Sequence, residues 1–204
     1  LHVEHDEFNV VPLNRTMSNA LAIDSTAAWD AGWWLAAERR YSPNFNARPE
    51  GTTVDLVVLH HISLPPGVFG GDEVAAFFEN RLNPSGNAEL EAIAHLQVSA
   101  HFFLRRGGLL QQFVSCDDRA WQAGVSCWHG RHACNDYSIG IEIEGDAVQP
   151  FTAAQYTALD PLLAAIAARY PVRAVTTHSE IAAGRKVDPG PTFDFSRLAR
   201  RWAV

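Results

Sequence analysis

The hydrophobic pattern of the chain changes period several times, and each change predicts an element. Val54 to Leu59 is an aliphatic, largely β-branched run interrupted only by Asp55, as expected of a central strand, and it ends in the pair His60-His61. Leu64-Pro65-Pro66-Gly67 and Gly70-Gly71 then force a loop. Val74, Phe77 and Phe78 stand at helical spacing within Glu73 to Arg81, and Glu89 to Leu96 is a second short helical candidate. Ser99 to Arg105 and Leu109 to Val114 flank Gly107-Gly108 and predict a hairpin. From Ser138 to Glu144, Ile139, Ile141 and Ile143 alternate with Gly140, Glu142 and Glu144, the mark of a half-buried strand. Thr152 with Gln155 three residues on makes a capping-box pattern. The helix after it carries Tyr156, Leu159, Leu162, Leu163 and Ile166 towards a core, and Pro161 should kink it or split its start. Val172 to Thr176 is a short strand, and Asp194 can cap a last helix ending near Trp202. Residues 24–40, with Trp29, Trp33, Trp34 and Leu35 among alanines, predict a short helix or an apolar flap. Tyr41 to Glu50, with Pro43 and Pro49, reads as an extended connector.

The order is strand, helices, hairpin, strand, long helix, strand, helix. It predicts an α/β single domain with one mixed central β-sheet flanked by helices, not a doubly wound parallel sheet. At 204 residues the chain is long enough for one well-buried core. Residues 1–16 precede the only methionine, Met17, and show no period; they read as a leader or tag, which leaves 17–204 as the domain. A net charge of −7 argues against a general nucleic-acid binder, which needs a basic face to displace counterions. No stretch approaches the roughly 20 apolar residues that cross a bilayer, so no membrane partner is expected. The acidic opening, Leu1-His2-Val3-Glu4-His5-Asp6-Glu7, is unlike a secretory signal. Cys116, Cys127 and Cys134 make an odd set, which favours reduced thiols and a cytoplasmic location over a disulfide framework. A monomer is the expectation.

Candidate chemistry sits at strand ends. The segment His178 to Pro191 sets His178 and Asp188 in a short stretch, with Lys186 between them and Pro189 and Pro191 restricting the backbone around the carboxylate. His60 and His61 cannot both face one site from a strand, so one of them is the candidate partner and the other shapes the surroundings. Each residue alone has a plainer reading, as a packed histidine or a turn aspartate. Together, two imidazoles and a carboxylate would hold a zinc ion with a net charge of +1 and an open fourth position. A hydrolytic site then needs a proton acceptor and a cation for a developing oxyanion. Glu142, on the strand face opposite the isoleucines, is the candidate acceptor, and Lys186 the candidate cation. The run Cys127-Trp128-His129-Gly130-Arg131-His132-Ala133-Cys134 also offers four soft ligands. One residue between partners strains a tetrahedral clip, so this run reads instead as a loop near the cleft.

These residues, with Val57 to Gly67, Val98 to Phe102, Arg119 to Ser126 and Cys134 to Glu142, resemble the zinc-dependent N-acetylmuramoyl-L-alanine amidases, specifically the AmpD branch, from about Trp33 to Trp202. The resemblance implies the amidase and peptidoglycan-recognition-protein-like fold. It implies His60, His178 and Asp188 as zinc ligands, which selects His60 over His61, and Glu142 and Lys186 as catalytic residues. His61 stands where this branch often has asparagine. Ala100 stands where phage and animal branches usually carry tyrosine, which fits the AmpD branch. The implied reaction is hydrolysis of the amide between the lactyl group of 1,6-anhydro-N-acetylmuramic acid and L-alanine of a muropeptide, in cell-wall recycling. Water attacks the carbonyl while Glu142 takes its proton and later returns it to the amine. Trp121 is a candidate wall for the sugar, and Arg105, Arg106 and Arg131 are candidates for the peptide's carboxylates. A non-catalytic peptidoglycan-binding module and an envelope amidase acting on intact murein are the alternatives. The full set of ligand, acid and lysine positions disfavours the first, and the acidic opening and odd cysteine count disfavour the second.

Overall fold

A six-stranded mixed sheet organises the molecule. In chain order its strands are β1 (Glu38–Arg39), β2 (Leu56–Ile62), β3 (Phe102–Leu104), β4 (Leu110–Gln112), β5 (Ser138–Glu144) and β6 (Ala174–Thr177). In space they run β6-β2-β5-β3-β4-β1. β6, β2, β5 and β3 are mutually parallel, β3 and β4 form the antiparallel hairpin, and β1 lies parallel to β4. The helices are α1 (Glu73–Phe78), α2 (Ala88–Ile93), α3 (Ala153–Arg169) and α4 (His178–Ile181). The computed structural model describes residues 28–199 and Trp202, so the expected leader over 1–16 lies outside the described residues.

Strand parity decides which face does what. Val57 and Leu59 of β2 and Ile139, Ile141 and Ile143 of β5 point to one face, where α3 packs Tyr156, Leu159, Leu162, Leu163 and Ile166 on them. Fully burying side chains of this size stabilises by about 1.5–3 kcal/mol each. His60 of β2 and Glu142 of β5 therefore point to the other face, away from α3. There the apolar cover is split. Leu56 and Val58 meet Tyr137 and Ile181 on one side, and Phe103 and Phe113 meet Phe77 and Phe78 on the other.

The structure decides between alternatives at two places and shortens an expected helix at a third. Residues 28–39 form no helix. Trp29–Asp30 and Trp33–Trp34 pair as a tight antiparallel hairpin, followed by β1. Its turn, Ala31-Gly32, has φ of 45° and 78°, the left-handed pair that two-residue hairpins favour. A Cβ on Gly32 would also meet Ser115 Oγ. Gln112 ties this flap to the sheet, accepting from the Trp34 N–H at 2.7 Å and donating to the Gly32 carbonyl at 2.8 Å. Secondly, α3 is not split at Pro161. Proline removes only the bond to the Thr157 carbonyl, and both residues lie on the exposed face, where water can serve that carbonyl, while the opposite face stays buried. Thirdly, Asp194 does cap, its carboxylate accepting from the Ser196 N–H at 3.0 Å, but the turn it starts is a single 3-10 turn, Phe195–Arg197.

The connector residue Arg48 has an unforeseen structural role. Its guanidinium donates to the carbonyls of Cys116 (3.1 Å), Asn135 (3.1 Å), Asp136 (2.7 Å) and Ser138 (2.9 Å), with no carboxylate partner among the described residues. It thereby pins the turn that leads into β5. Beside it lies the fully buried His101, which accepts from the Gly140 N–H at Nδ1 (3.0 Å) and donates from Nε2 to the Asp118 carbonyl (3.1 Å). Burial, reinforced by the Arg48 charge, pushes the His101 pKa down to about 3. A histidine kept neutral in the fold but free to protonate when unfolded lets the unfolded state bind the extra proton. Stability from this residue is thus full above its unfolded pKa of about 6.5 and is lost as pH falls towards 3. Denaturant titrations between pH 6 and 4 should show the wild type losing about 1.4 kcal/mol per pH unit more than His101→Gln. Parallel slopes for the two proteins would contradict this.

Candidate metal centre and active site

β2 and β6 deliver the two histidines side by side because they are parallel and in register. Thr177 stands opposite Leu59, so His178, the next residue, comes level with His60. Thr177 ends the strand and begins α4 with a capping box, its hydroxyl accepting from the Glu180 N–H at 3.1 Å while the Glu180 carboxylate accepts from the Thr177 N–H at 3.1 Å. Asp188 returns from the loop after α4. Its carbonyl accepts from the Ser179 N–H at 3.0 Å, and the next carbonyl, of Pro189, accepts from His61 Nδ1 at 3.0 Å. His61 thus straps the ligand-bearing loop to the end of β2.

The three side chains meet as a triangle of Nδ1 of His60, Nδ1 of His178 and Oδ2 of Asp188. Its edges are 3.0 Å between the histidines, 3.1 Å from His60 to Asp188 and 3.0 Å from His178 to Asp188. All three residues are buried, and they form the one potential metal-holding group of this kind among the described residues. The opposite ring nitrogens have acceptors: His60 Nε2 faces Gln122 Oε1, and His178 Nε2 faces the Ala123 carbonyl at 3.1 Å. Both imidazoles therefore carry their proton on Nε2 and turn a bare Nδ1 inwards. Three acceptors facing one another with no hydrogen between them repel unless a cation joins them. Ligand atoms of a tetrahedral ion with bonds of about 2.0–2.1 Å lie about 3.3 Å apart, close to the triangle's edges. The donor set fits a metal ion. Burial lowers the His60 pKa, which keeps the ring neutral as a ligand must be. For Asp188, burial acts upwards but is outweighed by the two imidazoles, and its carboxyl is held well below the usual carboxylate range.

Glu142 stands beside this triangle, directly across from His60 in the β2–β5 pairing. Its Oε1 lies 4.0 Å from His60 Nδ1, and its Oε2 is buried without a hydrogen-bond partner among the described residues. Burial and then the Asp188 charge raise its pKa well above the ordinary value, with Lys186 acting in the opposite direction. Glu144, on the same strand face, is instead an anchor that accepts from the N–H groups of Gly70 (2.6 Å) and Arg106 (2.8 Å).

Residues 50–191 match the family model Amidase_2, described as N-acetylmuramoyl-L-alanine amidase, a span that contains the whole site. The chain belongs to the N-acetylmuramoyl-L-alanine amidases. Within them it lies with the AmpD branch. It is 47% identical over 171 residues to the 1,6-anhydro-N-acetylmuramyl-L-alanine amidase AmpD of Citrobacter freundii, covering 83% of this chain and 91% of that protein. The Escherichia coli AmpD is 46% identical over 171 residues, covering 83% and 93%. The crystal structure of a Se-Met AmpD derivative superposes with a TM-score of 0.82 at 45% identity, over 85% of this chain and 98% of that one. An Escherichia coli AmiD structure, in complex with anhydro-N-acetylmuramic acid-L-Ala-D-gamma-Glu-L-Lys, gives a TM-score of 0.55 at 29% identity, over 76% and 60%.

In this amidase a cleft of about 260 Å³ opens onto Glu142, His178 and Asp188. Its walls are uneven: Leu64, Phe77, Ile93 and Leu96 make one side apolar, while Gln122 and Lys186 make the other polar. A second hollow of about 250 Å³ adjoins it, shares Trp121, Gln122, His178 and Lys186, and adds Arg185 and Asn135. Trp121 lines both, its indole N–H donating to Asn46 Oδ1 at 2.7 Å. The other substrate-binding candidates are placed elsewhere. Arg131 donates to both oxygens of Asp55 (3.0 and 2.8 Å) and stacks over Tyr137 at 3.7 Å. Arg105 donates to the Gly71 carbonyl and lies 3.9 Å from Glu144. Arg106 stacks over Phe69. None of these three arginines lines the cleft; Lys186 and Arg185 are the cations that do. The Cys127–Cys134 run folds as a two-residue hairpin, with Cys134 buried against the Tyr137 hydroxyl at 3.2 Å and His132 exposed, so its four soft ligands do not converge. All three cysteines are free.

Asp188→Ala leaves two of the three ligands and no anionic one. Its metal affinity should fall by on the order of 100-fold or more, read as metal content after dialysis at fixed free metal. Stoichiometric metal in that variant would show that the triangle is not the binding site.

Proposed function

We propose that the chain hydrolyses the amide joining the lactyl group of 1,6-anhydro-N-acetylmuramic acid to L-alanine, acting on muropeptides released during cell-wall recycling, with Zn²⁺ held by His60, His178 and Asp188. The observation that carries this reading is the unpartnered Glu142 carboxylate oxygen beside a buried triangle of three bare acceptors. The AmpD relatives, which carry that substrate in their names and cover most of the chain, support the choice of bond and sugar. A cytoplasmic, monomeric enzyme suits a small soluble substrate and three free thiols. No helix among the described residues is long and apolar enough to cross a membrane.

When bound, the ion supplies Lewis acidity that polarises a carbonyl and brings the pKa of water towards about 7. The remaining steps belong to the chain's own side chains. Glu142 takes a proton from water at its carboxylate as the water oxygen bonds to the lactyl carbon. It returns that proton to the alanine nitrogen as the carbon–nitrogen bond breaks. A carboxyl whose pKa is raised by burial is suited to both transfers near neutral pH. Lys186, exposed at the cleft mouth, places an ammonium towards the developing oxyanion. Trp121 offers the sugar a flat wall, and the Arg185 and Lys186 side receives the peptide's carboxylates.

Purified protein given soluble anhydromuropeptide and, separately, insoluble murein sacculi distinguishes the readings. Free peptide should appear from the anhydromuropeptide far faster than from sacculi. Release only from sacculi would assign an envelope enzyme, and tight binding without release from either would assign a binding module. Glu142→Gln keeps the shape and the metal but cannot shuttle a proton, so kcat should fall at least about 100-fold with metal content unchanged. A near-normal kcat would remove Glu142 from this role.

A further inference from the structure

The two imidazoles of the metal triangle are held from behind by one short segment. Ala123 supplies its backbone carbonyl to His178, and Gln122 supplies its side-chain Oε1 to His60. The segment is itself fixed, because Asn135 Oδ1 accepts from the N–H groups of Gln122 (3.3 Å) and Ala123 (2.8 Å). The two arms differ in kind. A backbone carbonyl exists whatever residue stands at 123, whereas the His60 arm depends on one neutral side chain whose amide has two ends. Two contacts orient that amide. Its Nε2 donates to Ser138 Oγ at 2.8 Å, which leaves Oε1 for the imidazole. Its flat group also lies against β5 at Gly140, where an added Cβ would come within 2.6–2.8 Å of Gln122 Cδ, Cγ and Oε1. Only glycine leaves room for the amide there.

From this geometry we infer that Gln122 is a positioning residue for the metal: it holds His60 with Nε2 protonated and Nδ1 aimed at the ion, and Ser138 and Gly140 keep its amide in the one orientation that does so. The inference rests on the reading of His60, His178 and Asp188 as a zinc site. Outer partners of this kind typically change metal affinity ten- to a hundredfold, because they set ring orientation and ligand basicity.

Zinc affinity measured by chelator competition at one fixed pH tests it, since proton and metal compete for the ligands. Gln122→Met keeps the bulk but offers no strong acceptor, and should bind zinc about ten- to a hundredfold more weakly. Gln122→Glu restores an acceptor oxygen and should recover most of that loss, a separation that a purely structural role would not produce. Gly140→Ala displaces the unchanged amide and should weaken binding by about tenfold or more. A loss below tenfold in Gln122→Met, or a Gln122→Glu protein that falls as far as Gln122→Met, overturns the role given to Gln122. Should Gln122→Met not fold, a Gly140→Ala protein within tenfold of wild type overturns it equally. A wild-type protein that binds no zinc would instead remove the metal site itself.

Discussion

Three parallel strands locked in one register are the constraint on which the site depends. β2, β5 and β6 are bonded in a fixed register, so His60, Glu142 and His178 become neighbours although more than 80 residues separate the first from the second. Their side of the sheet is equally fixed. The alternate residues of the same strands are aliphatic and committed to α3, and slipping one strand by a single residue would turn its polar residue into that core. The apolar face thus fixes the position of the polar one.

Around that frame the polar groups are satisfied in layers. Asp188 is the ligand that the sheet does not supply, and its loop is tied at two successive carbonyls by Ser179 and His61. Behind the histidines, Gln122 and Ala123 are held by Asn135, and the Asn135 carbonyl is in turn held by Arg48. Arg48 spends its charge mainly on carbonyl oxygens, with the His101 ring nitrogen 3.2 Å away. Leaving such groups without a donor costs about 1–3 kcal/mol each where they are buried, so this residue is as important to the geometry of the site as to the stability of the turn before β5.

The parts legible in the sequence were those with a local signature. Strand β2 ending in histidine, the alternation that sets Glu142 apart from three isoleucines, and Asp188 beside prolines can each be read within a dozen residues. The helix α3 announces itself through Thr152 and Gln155. What could not be read depends on partners distant in the chain. Nothing near Arg131 indicates that Asp55 will claim it, and nothing near Arg105 indicates Gly71 and Glu144, so both looked free for substrate. Arg48 lies in a proline-flanked connector with no period, and Gln122 carries no charge to attract notice. The flap over 28–39 was ambiguous because tryptophans among alanines suit a helix and a hairpin alike. Ala31-Gly32 and the buried Gln112 decide between them.

The shared register also limits how such a protein can diverge. Each of the three strands carries its functional residue close to a connection: His60 and Glu142 stand two residues before the ends of β2 and β5, which lead into 63–72 and 145–152, and His178 is the first residue after β6. An insertion beyond the ends of β2 and β5 lengthens a surface excursion and leaves the spacing of His60 and Glu142 untouched, whereas one between His178 and Asp188 would move a ligand, and one added residue inside a strand exchanges its two faces. Variation in what the cleft accepts can therefore accumulate in the rim while the chemistry beneath it stays constant.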